Sequence, residues 1–354
     1  MADRQRILIV RLGSMGDILH SLPVLASLEE SFPNWEVDWL VEPRWKPLLD
    51  GIGYLSRVVS LDTLGWRKEP LSAASWTGLR DALGTLQERR YDCALDLQAS
   101  IKSAAACYLS GAREILGFES PWLKEPACGV FYTRRVAATG TIHMVETNLA
   151  LAAALGAKPG PVHFPLPPGN PALLPAGLSS AGLAPGGLAP AGLSNGGWAV
   201  VNPGAGWRSK LWPAERYAQV CDALVREHSL PVVLNSGPGE EELARQVTRA
   251  CAHSQPCVYS GEIPGLIALL RQSRLMVGPD TGPVHLAAAL GVPTVGLFGP
   301  TDPRRNGPYG PRQKSLRPDG ACTSHSRATT SAEIMEQIHT EQVLEAIREV
   351  LEKK

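Results

Sequence analysis

Short runs of consecutive apolar residues alternate along this chain with longer segments whose apolar side chains recur every three or four positions. The short runs are typical of buried parallel strands, and the longer segments are typical of amphipathic helices that pack on a sheet. Their alternation predicts an α/β fold of the doubly wound, Rossmann-like kind. In the first half of the chain, strands are predicted at 7–10, 37–41, 58–61, 91–97 and 115–118, and helices between Ser21 and Pro33 and at 76–89, 100–109 and 143–155.

The same alternation starts again at Trp198, after a segment of different composition. Strands are predicted at 198–202, 232–234, 257–260, 275–278 and 294–298, and helices at 214–228, 240–251, 264–272 and 282–290. The stretch 175–197 is rich in Pro and Gly, shows no period and is predicted to be disordered. The predicted domains are therefore 1–160, a linker with a low-complexity insertion at 161–197, a second domain at 198–335 and a C-terminal helix at 336–354, which could pack on either domain.

The loops that follow the predicted strands indicate where a ligand would bind. Ligands of open α/β sheets bind at the carboxyl ends of the strands. Two such domains joined by a linker are therefore predicted to bind a ligand in a cleft between those ends. The loops concerned are 11–17, 203–210, 235–240 and 279–285.

The segment 275–310 has the clearest pattern of a binding site. It predicts a strand, a tight turn at Pro279–Thr281, a short helix that starts at Gly282, and a second strand. Gly282 lets a ligand approach the backbone, and the free N–H groups at a helix start attract anions. The alternative is that Asp280 or Thr281 only caps the helix, as any βαβ unit requires. This segment alone leaves both interpretations open.

Composition and charge narrow the range of partners. Lys plus Arg equals Asp plus Glu at 34 each, which argues against a nucleic-acid-binding protein. The seven cysteines include no C-x-x-C pair, as expected for reduced thiols in the cytoplasm. No signal peptide opens the chain and no apolar stretch approaches the ~20 residues of a membrane span, so a cytoplasmic location is predicted.

Four polar residues in the candidate loops have possible chemical roles. Asp17 follows the first strand and is suited to act as a general base or to cap the next helix. Lys210 is suited to neutralise a pyrophosphate, or it is an ordinary surface lysine. Glu240 begins a helix, where it would bind ribose hydroxyls or complement the helix dipole. His285 would contact a phosphate or a sugar hydroxyl, or serve the structure only.

Several motifs of other enzyme classes are missing from the sequence. It contains no P-loop, no G-x-G-x-x-G fingerprint, no H-E-x-x-H zinc motif and no Asp-x-Asp metal pair. Kinase, dehydrogenase and metalloprotease activities are therefore disfavoured. The remaining prediction is a metal-independent site for a nucleotide diphosphate, which points to group transfer.

Three segments, taken in order, resemble glycosyltransferase family 9, the ADP-heptose:lipopolysaccharide heptosyltransferases. They are Ser-Met-Gly-Asp-Ile-Leu-His-Ser-Leu-Pro at 14–23, Pro-Gly…Lys-x-Trp-Pro at 203–213, and Asp-Thr-Gly-Pro-Val-His-Leu-Ala-Ala-Ala-Leu…Gly-Pro-Thr-Asp-Pro at 280–303. They span both predicted domains and leave out the insertion at 170–197. The segments at 66–68, 102–105 and 124–132 are most similar to the heptosyltransferase I subfamily, which adds the first heptose to the Kdo sugars of lipid A.

The resemblance implies a GT-B architecture, with an acceptor-binding N-terminal domain, a nucleotide-sugar-binding C-terminal domain and inversion at the anomeric carbon. It implies that Asp17 is the catalytic base and that Lys210 binds the phosphates. The residues that match sugar-donor positions are Ser14, Gly16, Ser209, Glu240, Asp280, Thr281, Gly282 and His285. The basic residues expected to bind an anionic acceptor are Arg67, Lys68, Lys102 and Lys124. Ala205 and Gly206 replace adjacent threonines of the subfamily, so Ser209 or backbone N–H groups are expected to substitute for them.

The expected reaction is transfer of heptose from ADP-L-glycero-D-manno-heptose to Kdo-lipid A in lipopolysaccharide biosynthesis, with no cofactor and no essential metal. The expected partners are the ADP-sugar, the anionic lipid acceptor and the inner face of the cytoplasmic membrane, with Trp122 and Leu123 as candidate membrane contacts. The alternatives are heptosyltransferase II or another family 9 transferase with a different acceptor, a nucleotide-sugar epimerase, and a sugar-nucleotide-binding protein without activity.

Overall fold

The structure is a computed structural model that describes residues 5–138, 140–175, 178, 197–324 and 333–353. The chain divides into two compact units, Met1–Pro167 and Pro168–Lys354, whereas the sequence predicted the end of the first domain at residue 160. Each unit contains one parallel sheet of six strands. The predicted fold class, an α/β chain with two doubly wound Rossmann-like units, is confirmed.

The first unit alternates strands with helices. Its strands are β1 (Arg6–Val10), β2 (Glu36–Val41), β3 (Leu55–Ser60), β4 (Cys93–Asp96), β5 (Glu114–Phe118) and β6 (Arg134–Val136). Its α-helices are α1 (Met15–Leu19), α2 (Leu22–Ser31), α3 (Thr63–Lys68), α4 (Ala73–Arg89), α5 (Ile101–Leu109) and α6 (Met144–Ala154), with 3₁₀ helices at Pro43–Leu48, Ser120–Trp122 and Pro126–Phe131. The strand order is β3-β2-β1-β4-β5-β6, so the order reverses between β1 and β4.

The second unit repeats this plan. Its strands are β7 (Trp198–Val201), β8 (Val232–Asn235), β9 (Cys257–Tyr259), β10 (Ser273–Pro279), β11 (Thr294–Leu297) and β12 (Gln313–Leu316). Its α-helices are α7 (Ala214–His228), α8 (Glu241–Ala250), α9 (Ile263–Arg271), α10 (Gly282–Ala289), α11 (Pro303–Asn306), α12 (Glu333–Glu336) and α13 (Thr340–Glu352), with 3₁₀ helices at Pro171–Leu173 and Arg208–Lys210. The order β12-β11-β10-β7-β8-β9 reverses between β7 and β10.

These reversals determine where each unit can bind a ligand. In a doubly wound sheet the connections on either side of the reversal lead to opposite faces, which leaves a crevice beyond the carboxyl ends of the two central strands. In the first unit this crevice lies at the loops after β1 and β4. In the second unit it lies at the loops after β7 and β10, where the sequence predicted an anion site.

The C-terminal helix α13 belongs to the core of the second unit. Its apolar face, which includes Val343, Ile347 and Val350, is fully buried in the same cluster as Trp212 and Leu297. The open choice between the two domains is therefore decided in favour of the second. The period of the helix predicted its amphipathic face but could not specify which sheet that face covers.

Most of the predicted elements are confirmed, and the differences concern short ones. The strands β6 and β12 and the helices α1 and α3 have three to six residues, too few for a hydrophobic period to show. The predicted turn at 11–17 is wrong in its second half, because α1 starts at Met15. The Asp17 carboxylate accepts hydrogen bonds from the Ser14 N–H and hydroxyl, both at 2.9 Å. The backbone N–H of the N-cap residue is thereby paired.

The predicted linker at 161–197 is only partly described. Residues 168–175 belong to the second unit, where the Asn170 N–H donates to the carbonyl oxygen of Pro264 at 2.8 Å. The predicted disordered insertion at 175–197 lies outside the described residues, apart from residues 175, 178 and 197.

All seven cysteines are free thiols, and four of them, Cys93, Cys107, Cys128 and Cys221, are buried. These four thiols fill space in the cores, as small apolar side chains do. Within the described part of the chain, no helix combines the length and the apolar composition that crossing a bilayer requires.

Candidate active site

In the second unit, the carboxylate of Asp280 lies just after β10 and binds three side chains from different parts of the chain. Its Oδ1 atom lies 2.9 Å from Nε2 of His285 on α10. Its Oδ2 atom accepts hydrogen bonds from Lys210 Nζ at 2.6 Å and from the Thr301 hydroxyl at 2.7 Å. We call these four residues the Asp280 cluster. It unites Lys210, Asp280 and His285, which the sequence selected separately.

The Asp280 cluster is largely shielded from solvent, because Asp280, His285 and Thr301 are all buried. Burial alone would raise the pKa of the Asp280 carboxyl, but the hydrogen bond and charge of His285 and the ammonium of Lys210 outweigh it. The net effect is a pKa of Asp280 far below its usual range. The carboxylate therefore stays ionised and holds the Lys210 ammonium in place.

The Lys210 ammonium is held at the end of a 3₁₀ helix, where it points to Asp280. Its Nζ also donates to the main-chain oxygen of Asp280 at 3.2 Å and lies 4.9 Å from the centre of the Trp207 ring. An ammonium has three N–H donors, and Asp280 accepts two of them. Among the described residues no other hydrogen-bond acceptor contacts this ammonium, whose further neighbour is the Trp207 ring.

The start of α10 has no side-chain cap. Thr281 occupies the N-cap position, but its hydroxyl donates to the carbonyl oxygen of Pro279 at 3.1 Å instead of accepting from the helix. The carboxylate of Asp280 is engaged in the Asp280 cluster. Within the described residues, nothing accepts a hydrogen bond from the N–H groups of Thr281 and Gly282. The capping interpretation is therefore wrong for both side chains, and the helix start keeps N–H groups free for an anion.

Glu240 occupies the N-cap position of α8 and lies against two glycine loops. Its Oε2 atom accepts a hydrogen bond from the Gly237 N–H at 2.9 Å. A Cβ atom on Gly204 would come within 2.0 Å of the carboxyl carbon of Glu240, so a larger residue at 204 would displace this carboxylate from its present position. The carboxylate thus lies between the loops that follow β7 and β8, at the edge that the fold assigns to ligands.

Two buried amides connect these loops to the start of α10. The Asn202 amide donates to the carbonyl oxygen of Gly204 at 2.8 Å and to the Thr281 hydroxyl at 3.4 Å. The Asn235 amide donates to Asn202 Oδ1 at 2.5 Å. These hydrogen bonds fix three loops relative to one another, because buried amides are costly to leave unpaired. Sequence reasoning missed both asparagines, although each one stands at the carboxyl end of a predicted strand.

The loop that carries Ala205 and Gly206 offers no hydroxyl where the subfamily has threonines. Ser209 is buried, and its hydroxyl has no hydrogen-bond partner among the described residues. The backbone of the loop is the other possible source of hydrogen-bond donors. The role of Ser209 as a substitute for the threonines stays a prediction.

In the first unit, Asp17 is held from two sides after β1. Ser14 donates two hydrogen bonds to its Oδ2 atom, and the Arg11 guanidinium lies 2.7 Å from its Oδ1 atom. Arg11 is buried and also donates to the carbonyl oxygen of Leu97, which anchors it to the loop after β4. Asp17 does contribute to the cap of α1, but from the third position of the helix and not from the N-cap position, which Ser14 occupies. Gly16 is buried in the same short helix.

The Asp17 carboxylate combines an ionised state with access to solvent. Burial raises the pKa of Asp17, but the charge of Arg11 and the hydrogen bond from the Ser14 N–H outweigh it and leave the pKa below its usual range. About 40% of the side chain is exposed. An ionised carboxylate that is held in place and partly open to solvent can accept the proton of an incoming hydroxyl group.

Three of the four predicted acceptor residues lie close enough to influence one another. Partial burial lowers the pKa of Lys102, the carboxylate of Glu42 opposes this most strongly, the positive charges of Lys124 and Arg67 add to it, and Glu125 also opposes it. The Lys102 ammonium donates to the Thr63 hydroxyl at 3.0 Å, which connects α5 to α3. Lys68 is the next residue after Arg67 at the exposed end of α3. Like charges held together in this way favour an anionic ligand.

Sequence reasoning overlooked two side chains that complete these groups, Arg11 and Thr301. Arg11 directly follows the buried run of β1, and a charged residue at the end of such a run at the carboxyl edge was the available signal. Thr301 stands in the Gly-Pro-Thr-Asp-Pro motif, which supported the resemblance without a role for any of its residues.

Metal ligands are a separate question. In the described ranges, no group of three or more His, Cys, Asp and Glu side chains is arranged to hold a metal ion.

Comparison with known proteins gives consistent matches. The family model of glycosyltransferase family 9 (heptosyltransferase) matches residues 80–335. The lipopolysaccharide heptosyltransferase 1 of Escherichia coli O18:K1:H7 (strain RS218 / NMEC) is 28% identical over 334 residues, which cover 94% of this chain and 97% of the relative.

Solved structures match over almost the whole chain. A structure of E. coli heptosyltransferase WaaC with ADP has a TM-score of 0.78 and 26% sequence identity, and the match covers 98% of this chain and 99% of that one. The same enzyme with ADP-2-deoxy-2-fluoro heptose matches with a TM-score of 0.77 and 26% identity, over 97% of this chain and 99% of that one.

Proposed function

The chain belongs to glycosyltransferase family 9, the heptosyltransferases, and from that premise we propose that it transfers heptose from ADP-L-glycero-D-manno-heptose to the Kdo-lipid A inner core in lipopolysaccharide biosynthesis. The chain has the GT-B fold class of its structural neighbours. The observation that carries the proposal is the Asp280 cluster beside the uncapped start of α10. It presents an ammonium N–H and two backbone N–H groups at the crevice of the second unit, where an ADP-sugar is to bind.

The proposed sugar-donor site acts on the leaving group. As the bond between the anomeric carbon and the diphosphate breaks, ADP takes the electron pair and gains negative charge. The Lys210 ammonium and the N–H groups of Thr281 and Gly282 stabilise this charge, and preorganised hydrogen-bond donors contribute a few kcal/mol each in such a site. Glu240 binds the ribose hydroxyls, and His285 with Asp280 borders the sugar. These groups supply the charge stabilisation without a metal ion.

The proposed base is Asp17. The acceptor hydroxyl oxygen forms the new bond to the anomeric carbon while its proton moves to the Asp17 carboxylate. Attack on the face opposite to the leaving diphosphate inverts the anomeric centre. The lowered pKa keeps the Asp17 carboxylate in the ionised form that accepts a proton but also makes it a weaker base, so the support for this role is its ionised state together with its partial exposure.

The proposed acceptor carries negative charge, which fits the basic group of the first unit. Arg67, Lys68, Lys102 and Lys124 bind the carboxylates of Kdo or the phosphates of lipid A. Arginine and lysine are the side chains that proteins use for such groups. The proximity of Lys102 to Lys124 and Arg67 supports this assignment, although Glu42 and Glu125 lie near the same ammonium.

The protein is proposed to work at the cytoplasmic face of the inner membrane, where a lipid acceptor resides. Exposed apolar side chains support this. Trp66 and Trp76 form an exposed edge-to-face pair with ring centres 6.2 Å apart, and Leu71 between them is 93% exposed. Trp and basic residues are typical of membrane-interface contacts. Trp122 and Leu123, the candidates from the sequence, are half-buried and therefore contribute less.

A panel of sugar donors tests the proposal. Purified protein is incubated with Kdo-lipid A and ADP-, GDP- or UDP-sugars, and products are read by mass spectrometry. We expect a mass increase of one heptose with ADP-heptose only, with inverted anomeric configuration by NMR and unchanged rate after chelation of metals. Transfer only to an acceptor that already carries heptose would assign the chain to another family 9 specificity. ADP release or sugar conversion without an acceptor would point to an epimerase, and ADP-sugar binding without turnover to an inactive binding protein.

A further inference from the structure

The hydroxyl of Thr301 is the one member of the Asp280 cluster to which neither the sequence nor the family resemblance gives a role. It donates to Asp280 Oδ2 at 2.7 Å, the same oxygen that holds the Lys210 ammonium at 2.6 Å. Thr301 is buried, and it comes from the loop after β11, the strand next to β10. The carboxylate is therefore fixed by a residue outside both of the loops that present the sugar-donor site.

The local structure explains why the motif Gly-Pro-Thr-Asp-Pro places a hydroxyl here. Asp302 caps α11 by accepting a hydrogen bond from the Arg304 N–H at 2.9 Å. Pro303 stands in the first turn of that helix, where a proline is well tolerated. The cap fixes the loop just before α11, and Thr301 precedes the cap directly. The two polar residues of the motif thus have separate functions, one for the helix and one for the Asp280 carboxylate.

The geometry points to Thr301 as a positioning residue for phosphate binding: its hydroxyl sets the orientation of the Asp280 carboxylate and, through it, the position of the Lys210 ammonium. A carboxylate can rotate about its bond to Cβ, and His285 on Oδ1 and Lys210 on Oδ2 alone would let both partners move with it. A third bond from a rigid loop fixes that rotation. This inference rests on the proposed function, since it concerns the same ammonium.

The alternative is that Thr301 only stabilises the fold, as many buried threonines do. Thr294 provides the matched control. It is also buried, it stands at the start of β11, and its hydroxyl donates to the carbonyl oxygen of Val292 at 2.8 Å, away from the Asp280 cluster. Replacement of either threonine by valine removes one buried hydroxyl with little change in shape. Both variants lose stability for the same reason, but only one contacts the cluster.

The experiment compares Thr301→Val, Thr301→Ser and Thr294→Val with the unmodified protein. ADP affinity is measured by calorimetry, and Tm reports on the fold. We expect Thr301→Val to weaken ADP binding about 10-fold or more, since a hydrogen bond to a charged group is lost. Thr301→Ser, which keeps the hydroxyl, should restore affinity to within about 3-fold. Thr294→Val should lower Tm without a change in ADP affinity.

A double-mutant cycle with Lys210→Gln separates positioning from packing. Ligand-observed NMR titration reads the weak dissociation constants of these variants. Once the ammonium is absent, Thr301→Val should change ADP affinity by less than about 2-fold. A full additional loss in the Lys210→Gln protein, normal ADP affinity of Thr301→Val, or an equal loss in Thr301→Ser would each overturn the inference. Failure of the unmodified protein to bind ADP would instead overturn the proposed function, so the two failures are distinguishable.

Discussion

The two units share one topology but differ in the burial and pairing of the carboxylate at the crevice beyond their central strands. In the second unit, the key carboxylate, Asp280, is buried and fully paired, and the surrounding loops are cross-linked by Asn202 and Asn235. In the first unit, the key carboxylate, Asp17, is held by Ser14 and Arg11 but stays partly exposed. The same strand order is therefore combined with a buried, cross-linked carboxylate in one unit and a partly exposed one in the other.

The two units also differ in how much apolar surface they expose, and the first unit exposes more. Of the ten large apolar side chains that are exposed among the described residues, eight belong to the first unit and two, Leu173 and Val258, to the second. A small polar ligand such as ADP requires fixed hydrogen-bond donors. A large amphiphilic acceptor requires apolar surface and separated charges instead. Under the proposed function, the sheet topology determines where each ligand binds, and the burial of a few side chains determines which kind of ligand it is.

The largest effect is expected from a change at Asp17, which should lower the transfer rate and leave ADP binding by the second unit intact. Asp17→Asn should lower the transfer rate by about 10²–10⁴-fold, the usual contribution of a general base. ADP affinity by calorimetry should stay unchanged, because Asp17 has no part in the Asp280 cluster. Asp50→Asn, an exposed carboxylate of the same unit, is the control and should keep full activity. A near-normal rate of Asp17→Asn would refute the base assignment.

The next largest effect is expected from a change at Lys210, which should lower both ADP affinity and the transfer rate. Lys210→Gln removes the ammonium that is to neutralise the diphosphate, so both ADP affinity and turnover should fall, with turnover lower by about 10²-fold. Lys314→Gln, which breaks a surface pair with Glu349 at 2.7 Å, should change neither. Loss of turnover with unchanged ADP affinity would mean that both units contribute to chemistry only, and the contrast between them would fail.

Much of this contrast was predictable from the sequence, because it depends on the order of elements along the chain. Asp17, Lys210, Glu240 and Asp280 were selected as polar residues in loops that follow predicted strands, and the structure has those strands with nearly the predicted bounds. Helix α7 has the predicted bounds, since its apolar period is long and regular.

The pairings between loops were not predictable. Lys210 and Asp280 are separated by 70 residues, and no local pattern specifies that their side chains meet. The guanidinium of Arg11 was missed for a related reason, because its position next to a buried strand gives no sign of whether it turns towards Asp17 or towards solvent. Propensity and period describe one element at a time, whereas a site is made of contacts between elements.

A smaller effect is expected on membrane binding, which tests the exposed apolar surface of the first unit. The double variant Leu71→Ser, Trp76→Ser should bind vesicles of phosphatidylglycerol and phosphatidylethanolamine about 10-fold more weakly, because two apolar side chains no longer enter the interface. Co-sedimentation measures the bound fraction. Val258→Ser, an exposed apolar residue of the second unit, is the matched control and should bind normally. Equal binding of both variants would show that this surface serves another purpose.

The smallest effect concerns the pH dependence of the rate and isolates how Asp17 is held. If the ionised carboxylate is the active form, activity is lost as the pH falls through the pKa of Asp17, which Arg11 keeps below its usual range. Arg11→Gln removes the positive charge at 2.7 Å and should raise this pKa, so the acidic limb of kcat/KM should move to higher pH. Arg113→Gln, an exposed guanidinium paired with Asp92, should leave the profile in place. An unmoved acidic limb in Arg11→Gln would show that another group limits the rate in acid, and a limb moved to lower pH would contradict the sign of the Arg11 effect.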